Sequence, residues 1–204
     1  GYLIYKLFNF FIRLTKELHI CHVFALSSDS LFIEKIYNEA MLQGRANFVL
    51  VDDFDEETAK KFLEKYKFSK EEQEYIYKNI GGKPIYLIRI LNAKHQGKDV
   101  AGEIKTILES RKKEINDTLR KLKRFESEIV FENTNYKVDY NETLSTLKMF
   151  KDNDKILGSH IDEVVKIFLV KKNILFAECV NEIIKPQSKV DLIAIREILK
   201  EMKK

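Results

Sequence analysis

No phosphate-binding loop can be assembled from these 204 residues: the seven glycines are scattered, and GxxxxGK[ST] occurs nowhere. That excludes a self-sufficient nucleoside triphosphatase of the P-loop kind. Only two cysteines are present, Cys21 and Cys179, far apart in sequence. They do not make a secreted disulfide scaffold and favour a reducing, cytoplasmic compartment. No apolar run approaches the ~20 residues of a membrane span, so no membrane role is expected. The opening stretch GYLIYKLFNFFIRL is broken by Lys6, Asn9 and Arg13 and lacks a signal-peptide cleavage pattern. A metal site is not expected either. Cys21 and His22 are adjacent in an extended stretch and point to opposite faces, and no CxxC or HxxxH partner completes a set with His19.

What is present suits a helix-rich globular chain. Hydrophobic residues make up 45%, enough for a core, and charged residues 33%, mostly Lys and Glu. The net charge of +4 permits a nucleic-acid partner without demanding one. Leu3, Leu7, Phe10, Phe11, Leu14 and Leu18 form a helical stripe over 2–17. ICHVFAL at 20–26 and NFVLV at 47–51 read as short, fully buried parallel strands, each ended by polar residues. With helices at 30–42 and 55–66 between and after them, the rhythm is that of an α/β sheet fragment.

From residue 67 the alternation stops. Ser69 and Glu72 spell a capping box, and Pro84 sits in the first turn of a helix over 84–93. A long amphipathic helix spans 98–125, apolar at Ile104, Leu108, Ile115, Leu119 and Leu122, basic on its other side. Helices at 141–151 and 160–172, strands at 174–178 and 182–185 and a helix at 188–202 make a winged-helix pattern. The stretch 126–145 carries no clear signal.

Three motifs invite chemistry and have plainer readings. Ser27-Ser28-Asp29 could touch a phosphate, or could turn a strand into a helix with Asp29 or Ser30 as its N-cap. Gly81-Gly82-Lys83-Pro84 could offer amides to an anion, or simply join two helices. The acids Asp52, Asp53, Asp55, Glu56 and Glu57 resemble a Mg²⁺ cluster, yet Asp53 to Glu56 is a helix-start spacing and the capping reading wins.

These residues carry a family likeness. The run FNFFIRLTKELHICHVFALSSDSLFIEKIYNEAMLQGRANFVLVDDFDEETAKKFL, then IGGKPIYLIRIL, resembles the archaeal ATPase family of the AAA+/STAND class. The tail LVKKNILFAECVNEIIKPQSKVDLIAIREIL is similar to that family's closing winged helix. The resemblance implies a fold: residues 1–66 from the C-terminal part of an α/β P-loop core, 67–125 a helical lid and connecting helix, 126–204 a winged-helix domain. It implies that Ser27, Ser28 and Asp29 occupy the sensor-1 position, that Gly81, Gly82 and Pro84 form the lid motif against the nucleotide, and that Arg89 is a sensor-2-like cation. ATP and Mg²⁺ are implied as the family's ligands. The Walker A and Walker B segments that hold them are absent here, so no catalytic residue is assigned and no cofactor is expected for this chain alone.

The expected function is therefore that of a truncated, non-hydrolytic ATPase homologue acting through protein–protein contacts. Its partner would be the missing N-terminal half, another protein or a second copy of itself. The alternative is a DNA-binding module using the winged helix and the basic face of 98–125. Against it, HIDEVVKIFLVKK begins with Asp162 and Glu163, acids that repel phosphate where a recognition helix needs Arg, Asn or Gln.

Overall fold

The computed structural model describes every residue except 1, 38–41, 43, 132–133 and 203–204. It divides into two compact units, residues 1–50 with 178–181, and residues 51–177 with 182–204.

In the first unit, α1 (Tyr2–Ile12) runs into a π-helical turn at Arg13–Glu17, and α2 covers Ser30–Tyr37. Its core is small: Ile12, Ile36 and Leu42, with Phe8, Phe32 and Phe48 packed against them. The strands expected at 20–26 and 47–51 do not form. Both stretches are irregular and unpaired, and they present Phe24 (88% exposed), Leu26 (93%) and Val51 (86%) to solvent. The reason is the same property that made them legible. A strand apolar on both faces needs a neighbour on each edge and a layer on each face, and no such neighbours exist among the described residues. The stripe on α1 fares likewise, for Leu3, Leu7 and Phe10 are exposed and Ile12 is what the helix buries. Residues 38–41 of the helix expected over 30–42 lie outside the described residues.

The second unit is helical and closed. Helices α3 (Glu56–Lys65), α4 (Lys70–Ile80), α5 (Pro84–His95) and α6 (Val100–Arg124) wrap a core that includes Leu63, Ile76, Ile80, Leu87, Ile90, Ile104 and Ile107. Each start carries its own signal. Asp55 Oδ1 accepts the Thr58 amide at 2.8 Å, so the cap of α3 is Asp55 rather than Asp53. Ser69 and Glu72 exchange the two bonds of the capping box. Pro84 stands in the first turn of α5, where its missing amide proton is not needed.

After α6 comes an antiparallel hairpin that sequence reasoning missed, β1 (Ser127–Phe131) with β2 (Thr134–Val138), in the register Ile129 opposite Tyr136. It was missed because it is mostly exposed and, among its described residues, buries only Ile129 and Val138 fully, and its one apolar run is three residues, Ile129 to Phe131. Then follow α7 (Tyr140–Met149), β3 (Ile156–Leu157), α8 (Glu163–Lys171), β4 (Leu175–Glu178), β5 (Ile183–Pro186) and α9 (Lys189–Glu201). The three short strands form one sheet in the order β3-β5-β4. Helix α9 packs along α6, and its Val190 enters the core of α3–α6.

Candidate functional site

The Gly81-Gly82-Lys83-Pro84 turn is the best-defined constellation in the second unit. Helix α4 ends at Gly81, whose φ of +73° favours glycine and whose amide donates to Tyr77 O. A Cβ at Gly81 would lie 2.7 Å from the Cβ of Lys189. At Gly82 the squeeze is harder, because a Cβ would stand 1.7 Å from the carbonyl oxygen of Phe54. The Phe54 amide donates to Gly82 O at 3.0 Å, which fastens the Asp52–Phe54 segment to the turn. Lys83 N-caps α5 with its backbone and sends Nζ to Gln187 O at 2.9 Å.

A cavity of about 300 Å³ opens beside this turn, lined by Asp52, Asp53, Tyr77, the two glycines and residues 185–189. Lys185 pairs with Asp52 and also lies 5.5 Å from the centroid of the Phe176 ring. Burial pushes the Asp52 carboxyl up, but the Lys185 ammonium and the Asp53 amide outweigh it and hold the group below the ordinary carboxylate range. Burial wins at Asp53, which sits above that range despite Lys83 nearby. Behind the cavity, Ser188 caps α9 through the Asp191 amide at 3.2 Å. The buried Asp191 meets Arg111 of α6 at 2.5 Å, while Arg111 also reaches Asn173 O and Glu114. Burial pushes the Asp191 carboxyl up against the pull of Arg111.

Gly81, Gly82 and Pro84 thus come together in one turn. Arg89 does not join them. Its guanidinium is engaged by Glu103 at 2.6 Å, and it lines a separate groove of about 370 Å³ with Ile85, Ile88 and Asn92. Ser27, Ser28 and Asp29 belong to the first unit, and there the capping geometry is present: Asp29 Oδ1 accepts the Phe32 amide at 3.1 Å, and Ser27 Oγ accepts the Asp29 amide at 3.1 Å. Sequence reasoning missed Lys185 and Gln187 as neighbours of the glycine turn. Lys83 and Gln187 are 104 positions apart, and only the seating of α9 joins them.

The donor set does not fit Mg-triphosphate. Asp52, Asp53 and Asp154 face the cavity, Lys185 is spent on Asp52, and among the described residues no three His, Cys, Asp or Glu side chains gather as a metal site. No described helix is long and apolar enough to cross a membrane.

Comparison with known proteins agrees with the family likeness read from the sequence. Residues 1–90 match the family model of an ATPase domain predominantly from Archaea. Residues 101–199 match that of the C-terminal domain of the MJ1010-like uncharacterised ATP-binding proteins. One uncharacterised ATP-binding protein of Methanocaldococcus jannaschii is 46% identical over 203 residues, covering 100% of this chain and 53% of the relative. Another, of Pyrococcus abyssi, is 40% identical over 199 residues, covering 98% of this chain and 54% of its own length. The crystal structure of the C-terminal domain of a possible ATP-binding protein from M. jannaschii aligns with a TM-score of 0.47 at 26% identity, covering 48% of this chain and 96% of that one. The chain spans about half the length of the curated relatives it matches.

Proposed function

We propose that this chain, a homologue of archaeal uncharacterised ATP-binding proteins across both matched regions, is the lid-bearing part of a STAND-type AAA+ nucleotide site. Another polypeptide segment then supplies the phosphate-binding half. The observation that carries this reading is the pair of apolar, unpaired stretches at 20–26 and 47–51. Exposed Phe24, Leu26, Val49 and Val51 would join strands once the complementing segment supplies an edge, since strand edges recruit strands. Once complemented, Ser27, Ser28 and Asp29 would end a sheet strand at the sensor-1 position. Gly81, Gly82 and Pro84 would close the base side of the nucleotide, and the complementing segment would bring ATP's phosphates and Mg²⁺. Arg89 serves as a sensor only if it exchanges Glu103 for ligand.

The three-part division into 1–66, 67–125 and 126–204 goes with this reading. The order α7–β3–α8–β4–β5 with sheet order β3-β5-β4 supports a winged helix in the last part. Its role is contact with protein rather than DNA, since six of the nine residues of α8, Val165 through Val170, are buried and cannot enter a groove. A cytoplasmic setting suits its two free cysteines. The complement is a polypeptide segment carrying the phosphate-binding loop that these 204 residues lack.

Calorimetric titration with Mg-ATP tests the proposal. The chain alone should give no binding up to millimolar. Adding the part of the 46%-identical relative that lies outside the matched region should bring binding to roughly 10 μM or tighter, about −7 kcal/mol. Tight binding by the chain alone, or none with the complement present, overturns it.

A further inference from the structure

Helix α6 uses its cations in two ways. In its middle they hold the fold together: Arg111 is tied to Asp191 and Glu114, and Lys112 to Glu197 and Glu201. In its last two turns Arg120, Lys121 and Arg124 are exposed, and among the described residues no acid lies within ion-pair distance of them. Cations in a last turn answer the helix dipole, an effect of about 0.3–1 kcal/mol confined to that turn. That accounts for Lys121 and Arg124, both in the last turn, and leaves Arg120, one residue earlier, without an ion-pair partner among the described residues.

The same end of the helix carries exposed rings. Phe125, the C-cap of α6, follows Arg124 directly and is 66% exposed. The hairpin β1–β2 stands next to it: Lys137 of β2 pairs with Glu126 at 2.7 Å, and its neighbour Tyr136 is 39% exposed. Lys123 lies 5.6 Å from the Tyr140 ring just past the hairpin. Lys171, at the end of α8, reaches Val130 O at 3.1 Å and brings one more cation to the corner.

Unpaired cations interleaved with exposed aromatic rings form a surface for a flexible polyanion with flat bases. We propose that the end of α6 and the β1–β2 hairpin bind single-stranded nucleic acid, with phosphates on Arg120, Lys121 and Arg124 and a base stacked on Phe125. Duplex readout is disfavoured, because it needs an element free to enter a groove and α8 is buried. A membrane surface is disfavoured too, because α6 buries its apolar side, Ile115, Leu119 and Leu122, within the protein. This surface is independent of the nucleotide proposal, and either can fail alone.

The test is fluorescence anisotropy of the whole chain with a labelled 20-nucleotide oligo-dT, in salt from 20 to 200 mM. Three phosphate contacts predict log K falling against log salt with a slope of about −2, at roughly −0.7 per contact for single strands. R120E/K121E/R124E should weaken binding at least tenfold, and F125A by roughly fivefold or more. K65E/K70E/K78E changes net charge by the same amount on exposed lysines of α3 and α4, and should stay within about twofold of the native chain. Circular dichroism melts confirm that each variant is folded. The proposal is overturned if both triple variants lose affinity equally, if F125A binds as the native chain does, or if a duplex of the same length binds as tightly. No binding at 100 μM chain in 20 mM salt, or binding to anionic vesicles in place of the oligonucleotide, also overturns it.

Discussion

Two parts of this chain treat apolar sequence differently. Helices α3–α6 bury a core of theirs: Leu63, Ile76, Ile80, Leu87 and Ile90 are inaccessible to solvent. Residues 20–26 and 47–51 are as apolar and remain exposed except for the half-buried Val23 and Phe48. The difference lies in where each element finds its hydrogen bonds. A helix satisfies its backbone internally and needs only one face covered, so four helices can close a core by themselves. A strand buried on both faces satisfies nothing until its neighbours arrive. Among the described residues, the helical part covers its own apolar side chains, and most of those at 20–26 and 47–51 stay uncovered.

The sharpest way to break that comparison is to remove the same kind of side chain from each part. Leu87→Ala empties a fully buried site in the α3–α6 core and should cost about 2–5 kcal/mol. Phe24→Ala removes a ring that is 88% exposed and should change stability by less than about 0.5 kcal/mol. Urea unfolding followed by circular dichroism measures both. A cost above 1 kcal/mol at Phe24 would mean that 20–26 is already covered in solution, and the complementation proposal would lose its premise.

Glycines sharpen the contrast on a smaller scale. Gly82→Ala drives a methyl into the Phe54 carbonyl oxygen, backbone against backbone, where no side chain can swing away. A loss of about 1–3 kcal/mol is expected, with faster amide exchange at Phe54 and Gly81. At Gly44 a Cβ would meet nothing within 4 Å, and only its φ of +68° objects, so Gly44→Ala should cost about 1 kcal/mol. Equal costs at the two positions would show that the turn at 81–82 yields easily, and that it is no fixed platform.

Much of the helical part could be read before any coordinates, because its signals are local. Ser69 with Glu72, Pro84, and the spacing of Ile104, Ile115, Leu119 and Leu122 each act within a few residues, and each stands where expected. The strands at 20–26 and 47–51 were misread for the opposite reason: their pattern specifies an environment that the described residues do not provide. The β1–β2 hairpin has cross-strand pairs and little burial, so it left no periodic trace. The glycine turn was visible as a motif, but its contacts with Gln187 and Lys189 are set by tertiary packing that no local pattern encodes.

The smallest expected effect concerns the two neighbouring acids at the cavity, and it has a sign. Asp52 is held below its ordinary range in the folded chain, so its pairing with Lys185 stabilises fully above about pH 4, the unfolded value. That contribution is lost as pH falls further, through the lower folded value. Asp53 is raised, so its charged form opposes folding at neutral pH, and the penalty is relieved as pH falls through its folded value. Asp52 is half exposed, which keeps the pair under about 1 kcal/mol after solvent screening. Asp52→Asn should therefore destabilise slightly at pH 7, with the difference from the native chain shrinking as pH falls below about 4. Asp53→Asn should be neutral to slightly stabilising at pH 7, with its advantage gone by about pH 4. Urea midpoints at pH 7, 5, 4 and 3 decide it. Slopes of the same sign for both variants would mean that Lys185 does not discriminate between the two carboxylates, and the corner joining the glycine turn to β5 would be looser than the contacts imply.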